Sequence, residues 1–393
     1  MQMPGNVLRK TAIAGAAALL AWAPAVPAYN FYQQGGFLGY TFSKWGPPAL
    51  GTGATVYWSI MPAGTPGAAY CAPGCTNGSG VSGLTLPNFY DWNTHAFRSV
   101  NLTDPEVLGY IRNALRTWSA TTGVTFVYLP VDSGVPINDP AAEPPPAGAT
   151  GQIRIGVFDM GDSGSAAAGY APPPNGFIPN SSQLATGAGD LILNGNAVYA
   201  YQNPAGAEGS PLNSYPQGGG LFLNDFEGLI LHELGHTLGL DHTATPDAVM
   251  CGYTWVNGSF NDCTYYLPQT YVINRQLSSD DATGIQILYG APVDTDGDSV
   301  PDAIDNCSSV SNPAQVDANG DGYGNNCDAD LNNSGQVTAA DYAILRSVLN
   351  QSAASSSTAA AADLNASGTV TAADYAILRS RINTAPGPSG FHP

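Results

Sequence analysis

The sequence predicts an α/β (α+β) domain over residues 29–290, then an acidic stretch and a small α-helical pair. Three observations predict it. Between residues 29 and 290, β-branched and aromatic runs alternate with segments of helical periodicity. Past residue 290 the composition turns to Asp, Asn and Gly. Then a segment is nearly duplicated, DLNNSGQVTAADYAILRS from Asp330 and DLNASGTVTAADYAILRS from Asp363.

The first element is read as one that is removed. Arg9 and Lys10 precede an apolar run over residues 11–22, and Val26-Pro27-Ala28 offers small residues for cleavage before Tyr29. Residues 1–28 therefore read as a secretory signal, too short in their apolar run to span a bilayer. No later run is long and apolar enough either, so no membrane span is expected and the product is placed outside the cell. Export puts the six cysteines in an oxidising setting. Nearness in sequence favours Cys71–Cys75, Cys251–Cys263 and Cys307–Cys327 as pairs.

Strands are expected at 55–60 (TVYWSI), 124–129 and 152–158 (QIRIGVF), with weaker candidates at 166–171 and 190–194. Residues 104–120 have one apolar helical face of Val107, Leu108, Ile111, Leu115 and Trp118, and Asp104-Pro105-Glu106 is a good helix start. Residues 221–240 read as a long helix and 279–289 as a closing one. The stretches 130–151 and 203–220, rich in Pro, Gly, Ala and Ser, read as a surface loop and an insertion.

The charge balance excludes one class of partner. The chain has 30 acids against 11 bases, a net charge of −19, and only 10% charged residues. So acidic a chain is a poor polyanion binder, and no nucleic-acid partner is expected. Residues 291–393 hold 12 of the acids and 3 bases. Such crowding calls for a bound cation.

The strongest chemical signal is His232-Glu233-Leu234-Gly235-His236-Thr237-Leu238-Gly239-Leu240-Asp241-His242. His232 and His236, four apart on a helix, face the same side. Gly239 can take positive φ and break the helix, so that His242 returns as a third ligand. Three protein ligands leave one zinc position open for water, the pattern of catalytic sites. Zinc lowers the pKa of that water to about 7. Glu233 is placed to take its proton as it attacks a carbonyl and to pass it to the leaving amine.

These residues resemble the metzincin clan of metallopeptidases. Met250, eight past His242, matches the family's Met-turn and would be a structural floor. Thr243 after the third histidine, the closing LSSDDATGIQILYG at 277–290, and Lys44-Trp45-Gly46 before a strand are similar to matrixins in particular. The resemblance implies a twisted mixed sheet over two or three helices, a protein or peptide substrate lying along an edge strand (166–171 by analogy), and Glu233 as catalytic base. Some family features are absent. There is no P-R-C-G-x-P cysteine switch, residues 29–44 are short for a prodomain, and the histidine-rich structural zinc site is missing. Asp159, Asp162 and Asp190 are alternative calcium ligands or solvated surface. Tyr253 is a pocket wall or packing residue, in a segment 251–275 whose aromatics suggest an apolar specificity pocket.

The acidic tail reads as calcium loops. Asp294, Asp296, Asp298, Asp302 and Asp305, then Asp317, Asn319, Asp321 and Asp328, alternate with Gly and Asn so that a loop can wrap a hard cation. With Cys307 and Cys327, residues 291–329 resemble a thrombospondin type-3 repeat. In the duplicated units, Asp330, Asn332, Ser334, Gln336, Thr338 and Asp341 hold positions 1, 3, 5, 7, 9 and 12 of a calcium loop. Asp363, Asn365, Ser367, Thr369, Thr371 and Asp374 repeat them, with Gly335 and Gly368 at the turns. With helices at 342–349 and 375–382, residues 330–384 resemble a dockerin domain. The expected core is Ile344, Leu345, Leu349, Ile377 and Leu378, with a Ser/Ala linker at 351–362 and a flexible tail from 385. Dockerins bind cohesins, so a cohesin-like partner is implied. Ala339-Ala340 and Ala372-Ala373 stand where polar residues often select it, which leaves simple capping of the chain open. For the whole chain two readings stand: a secreted zinc endopeptidase with a docking module, or a noncatalytic extracellular binding protein on the same fold. Hydrolysis of a nonprotein amide is also compatible.

Overall fold

The computed structural model describes residues 30–31, 33–36, 39–67, 80–91, 94–137, 151–161, 166–172, 189–201, 208, 223–243, 245, 247–251, 255–256, 259–260 and 273–390. The proposed signal 1–28, the pair Cys71–Cys75, Asp162, Cys263, Tyr253 and nearly all of 203–220 lie outside them. The first described elements are β1 (Asn30–Phe31) and a hairpin of β2 (Gln33–Gly36) and β3 (Gly39–Phe42). Then come β4 (Ala54–Ile60), β5 (Thr85–Asp91), β6 (Ala96–Asn101) and helix α1 (Pro105–Ser119). Strands β7 (Val124–Leu129), β8 (Ile153–Phe158), β9 (Ala167–Gly169), β10 (Leu191–Asn194), β11 (Val198–Tyr201) and β12 (Leu223–Asp225) lead into α2 (Phe226–Thr237). After β13 (Leu240–Asp241) and the hairpin of β14 (Trp255–Val256) and β15 (Ser259–Phe260) comes α3 (Ser279–Tyr289). The tail carries α4 (Ala339–Ser347), a 3-10 turn (Ala353–Ser355), α5 (Ser357–Ala362) and α6 (Ala372–Ser380).

The main sheet has the order β7-β4-β8-β10-β9. Its first four strands are parallel and β9 runs antiparallel at the edge. The edge position is the one assigned to 166–171 from the sequence. All six residues of β8 are buried, as a central parallel strand requires. Helices α1 and α2 pack on this sheet. Val107, Ile111, Leu115 and Trp118 of α1 enter the core, and the Trp118 indole N–H donates to Leu231 O at 2.9 Å. Pro105 and Glu106 open α1 in the two ways a helix N-terminus favours, with no N–H to lose and a carboxylate on the positive end. Helix α3 starts with a capping box in which Ser278 and Asp281 bond reciprocally, and ends at Gly290 with φ of 78°.

A second sheet, order β12-β11-β5-β6, is a feature the sequence reading missed. Its strand β12 occupies the start of what reads as helix in the sequence. The helix begins instead at Phe226, because the Asp225 carboxylate caps it by accepting from Gly228 N–H at 3.0 Å. It ends at Thr237, ahead of the Gly239 turn, rather than at Leu240.

Four readings of the tail need correction. Residues 351–362 are not a linker: α5 lies there, and Ala359 and Ala362 are fully buried against Leu345, Leu364 and Leu378. Small side chains let the helices approach closely. Leu349 is 40% exposed, and Val348 is buried in its place because α4 ends at Ser347 and the chain turns. Both repeat helices begin three residues earlier than expected, at Ala339 and Ala372, since Thr338 and Thr371 are their N-caps. Residues 385–390 are not a free tail. Gly387 N–H donates to Cys327 O and Gly390 N–H to Asp305 O, and Ser389 is buried.

Candidate active site

Helix α2 and the turn after it bring His232, His236 and His242 together. The Nε2 atoms of His236 and His242 lie 3.1 Å apart, and those of His242 and His232 3.3 Å. Nitrogens about 2.0–2.1 Å from a tetrahedral zinc stand about 3.3 Å apart, so the triangle matches that ion. The opposite ring nitrogens are engaged. Nδ1 of His232 lies 2.6 Å from Val249 O, and Nδ1 of His236 lies 2.9 Å from Leu240 O. A carbonyl can only accept, so each Nδ1 carries the proton and each Nε2 points a lone pair at the common centre. Burial lowers the pKa of all three imidazoles, His236 the most, which keeps them neutral. Three neutral donors facing one point are the donor set a divalent metal requires.

Gly239 has φ of 105°, the left-handed bend that the sequence pattern required. A Cβ there would stand 2.0 Å from Ser43 O. The Met-turn lies beneath the helix. Met250 is buried, and its sulfur would be 2.2 Å from a Cβ on Gly235, so residue 235 must be glycine for the floor to come so close. Thr243 N–H donates to Met250 O at 2.9 Å, tying the chain after the third histidine to that floor. Cys251 is disulfide-bonded; its expected partner Cys263 lies outside the described residues.

Glu233 is buried beside the triad, and burial pushes its carboxyl up to about 7, against the opposing pull of Gly169 N–H and His242. Its Oε2 accepts from Gly169 N–H at 2.6 Å. Gly169 belongs to β9, so the carboxylate is braced on the edge strand. A Cβ on Gly169 would fall 2.2 Å from Glu233 O, and any larger residue would push the strand off the helix.

Several positioning residues were not visible in sequence. Asp281 accepts from Val249 N–H at 2.8 Å and Met250 N–H at 3.0 Å, so α3 holds the Met-turn. The spacing Ser278-x-x-Asp281 signals a cap but not this second task. Asp190 is neither a cation ligand nor solvated. It is fully buried and takes both Arg154 Nε at 3.0 Å and Nη2 at 2.6 Å. Arg154 also donates to Val135 O and Pro136 O, pinning the loop after β7. Asp159 accepts from Gly161 N–H and the Asn196 amide.

In the tail, Asp294, Asp296 and Asp298 bring a carboxylate oxygen each to within 4.8 Å of one another. Asp296 Oδ2 and Asp305 Oδ2 are buried without a hydrogen-bond partner. Such orphaned anionic oxygens are what a cation would satisfy. Asp302 accepts from Thr295, and Asp317 from Gly320 N–H and Gly322 N–H. Asn319 donates to Asp321 and Asp328, and burial with Asp321 and Asp330 nearby pushes the Asp328 carboxyl up to about 7. The duplicated loops superpose bond for bond. Asp330 accepts from Ser334 and Gly335 N–H, Asn332 from Ser334, and Asp341 from Asn332 and Thr338. Asp363, Asn365, Ser367 and Asp374 do the same. At the seventh loop position the Gln336 side chain points away, to Asn383 O, and so does not share the loop's centre; the backbone carbonyl of Gln336, like that of Thr369, faces the serine two residues before it. Cys307 and Cys327 form the expected disulfide.

Comparison with known proteins follows the same division. Residues 186–290 match the family Matrixin, and residues 328–383 match the Dockerin type I domain. The chain is 29% identical over 211 residues to matrix metalloproteinase-15 of Homo sapiens, covering 51% of this chain and 25% of that protein. It is 26% identical over 200 residues to the hatching enzyme of Paracentrotus lividus, covering 50% and 25%. It is 41% identical over 73 residues to matrix metalloproteinase-2 of Drosophila melanogaster, covering 19% and 8%. The chain spans a quarter or less of the length of these curated relatives. No helix among the described residues is long and apolar enough to cross a membrane. From the two family matches and the histidine geometry together, the chain carries a matrixin-like zinc-metallopeptidase domain followed by a C-terminal dockerin-like domain.

Proposed function

We propose that the chain is a secreted zinc-dependent endopeptidase with a calcium-dependent C-terminal docking module. One observation carries the reading: three neutral imidazole Nε2 atoms converge beside a buried carboxylate that is itself braced on the last strand of the main sheet among the described residues. His232, His236 and His242 would hold the zinc, with Met250 and Gly239 shaping its surroundings. Zinc, when held there, supplies a Lewis acid for the substrate carbonyl and for water. An extended peptide lies along β9 in the manner of a further strand, which aligns backbone rather than side chains. Glu233 takes a proton from the attacking water on a carboxylate oxygen and gives it to the leaving amine nitrogen.

In the tail, Asp294, Asp296, Asp298, Asp302 and Asp305, then Asp317, Asn319, Asp321 and Asp328, would hold calcium in the repeat at 291–329. In the dockerin-like unit the ligands would be Asp330, Asn332, Ser334, Asp341 and Asp363, Asn365, Ser367, Asp374, with the carbonyls of Gln336 and Thr369. The partner would be a cohesin-like protein. The exposed alanine pairs 339–340 and 372–373 predict that it is chosen by apolar contact rather than by hydrogen bonds at those positions.

The test is Glu233→Ala. It should keep zinc bound at parental affinity and lower the hydrolysis of denatured protein about 10²- to 10⁴-fold. Equal activity would refute the mechanism, and a parent chain with zinc bound but no hydrolysis of any protein would favour the binding-protein reading.

A further inference from the structure

Residues 30–31 and 43–45 lie against the turn that carries His242 and the end of the helix before it. β1 pairs antiparallel with β13, Asn30 opposite Asp241 and Phe31 opposite Leu240. The Phe31 and Phe42 rings meet edge to face at 5.5 Å, and both pack on the main core. Ser43 O lies against Gly239, where no Cβ would fit. The Trp45 indole N–H donates to Thr237 O at 2.8 Å. Trp45 backbone N–H donates to the Tyr289 hydroxyl at 2.9 Å, which donates to Leu238 O at 2.8 Å. Thr237 O and Leu238 O belong to the last turn of α2, where a helix has no partner of its own for its carbonyls.

The turn from 237 to 242 sets two ligands at once. Leu240 O receives the Nδ1 proton of His236, and His242 follows one residue after Asp241. Whatever fixes Leu240 therefore fixes the direction of both imidazoles. The Gly239 bend supplies freedom rather than direction, so the direction must come from outside the turn. Residues 29–45 contain no His, Cys, Asp or Glu. The segment thus has none of the side chains by which a peptide blocks zinc.

We propose that β1 and residues 42–45 form a clamp that completes the zinc site, with Trp45 as a positioning residue for His236 and His242. This rests on the zinc reading above. The segment supports the metal site instead of masking it, so its removal weakens metal binding and releases no activity. A clamp of this kind belongs to the mature, working protein.

Zinc affinity is measured by chelator competition, and ligand geometry by the visible spectrum of the cobalt-loaded chain. Four proteins are compared: the parent, Trp45→Phe, a chain lacking residues 30–42, and Val56→Ala. Val56 is fully buried in the same core, on β4, and controls for general destabilisation. Trp45→Phe is expected to bind zinc about tenfold more weakly and to shift the cobalt spectrum, as for loss of a group that orients a metal ligand. The deletion should weaken binding at least as much. Val56→Ala should melt earlier yet bind zinc like the parent. The clamp is overturned if both N-terminal variants match the parent, if Val56→Ala loses as much affinity as they do, or if the deletion hydrolyses peptides faster. A parent that binds no zinc would instead overturn the zinc reading, and the clamp with it.

Discussion

Asp281 offers the sharpest test of how the metal site is held. It lies at the start of α3, is 1% exposed, and accepts four hydrogen bonds. Oδ2 takes Val249 N–H at 2.8 Å, Ser278 N–H at 2.9 Å and Ser278 O–H at 2.9 Å; Oδ1 takes Met250 N–H at 3.0 Å. Asp281→Ala leaves the Val249 and Met250 donors buried and unpaired, each costing about 1–3 kcal/mol. Loss of the capping box adds about 1 kcal/mol. Burial raises the Asp281 pKa, so relief of a buried charge offsets part of this. A net loss of about 3–4 kcal/mol follows. Asp281→Asn can set its carbonyl at the Oδ2 position and keep three of the four bonds, so it should cost about 1–2 kcal/mol. The chain's tryptophans all precede residue 291, so their fluorescence reports unfolding of the peptidase domain alone. At about 2–4 °C per kcal/mol for a domain of this size, the alanine variant should melt roughly 10 °C lower. Its zinc affinity should fall as well, since Val249 O takes the His232 Nδ1 proton. An alanine variant within about 1 kcal/mol of the parent, or one no worse than asparagine, would refute the account.

Three further outcomes follow from other contacts. Arg154→Met should destabilise the peptidase domain by about 3–5 kcal/mol, because it leaves Asp190 charged and buried; restoring stability with Asp190→Asn in the same chain checks the cause by double-mutant cycle. Gly235→Ala should cost about 1–3 kcal/mol through its clash with the Met250 sulfur, and Met250→Ala added to it should recover part of that loss, as read by thermal unfolding. Calcium chelation should reduce the far-ultraviolet circular dichroism of α4 to α6 while the tryptophan-reported melting of the peptidase domain stays in place; an unchanged dichroism spectrum would count against the calcium loops.

Local signals were legible and distant ones were not. Helix α3 matches its expected bounds because a capping box opens it and a positive-φ glycine closes it, both within a few residues. The histidine pair was legible because a helix turns spacing into direction. The second sheet was hidden for opposite reasons in its strands. β5 contains Pro87 and a register irregularity between Leu86 and Phe89, which breaks the alternation a strand normally displays. β11 has four residues, the first three buried and the last partly so, and therefore shows no alternation at all. The Asp281 link to the Met-turn and the Arg154–Asp190 pair join residues more than thirty apart, and nothing in their spacing announces either one. Composition also misled. Residues 351–362 look like a flexible Ser/Ala stretch, yet alanine is the side chain that lets α5 lie close to its neighbours.

The acidic excess can be resolved by what each carboxylate faces. In the peptidase domain, Asp190 and Asp225 face arginines at 2.6 Å and 2.5 Å, and Asp281 faces backbone donors. These acids are satisfied within the protein. In the tail only three arginines accompany twelve acids, and the carboxylates turn inward to loop N–H groups and to one another. N–H groups are weak compensation for several anions in one loop, since each supplies only a partial charge. The raised pKa of Asp328 and the unpartnered oxygens of Asp296 and Asp305 mark where that compensation falls short. A divalent cation supplies what is missing at those points. The fold of the tail is therefore predicted to be conditional on calcium, while the fold of the peptidase domain, where Asp190, Asp225 and Asp281 have partners within the protein, depends on it less.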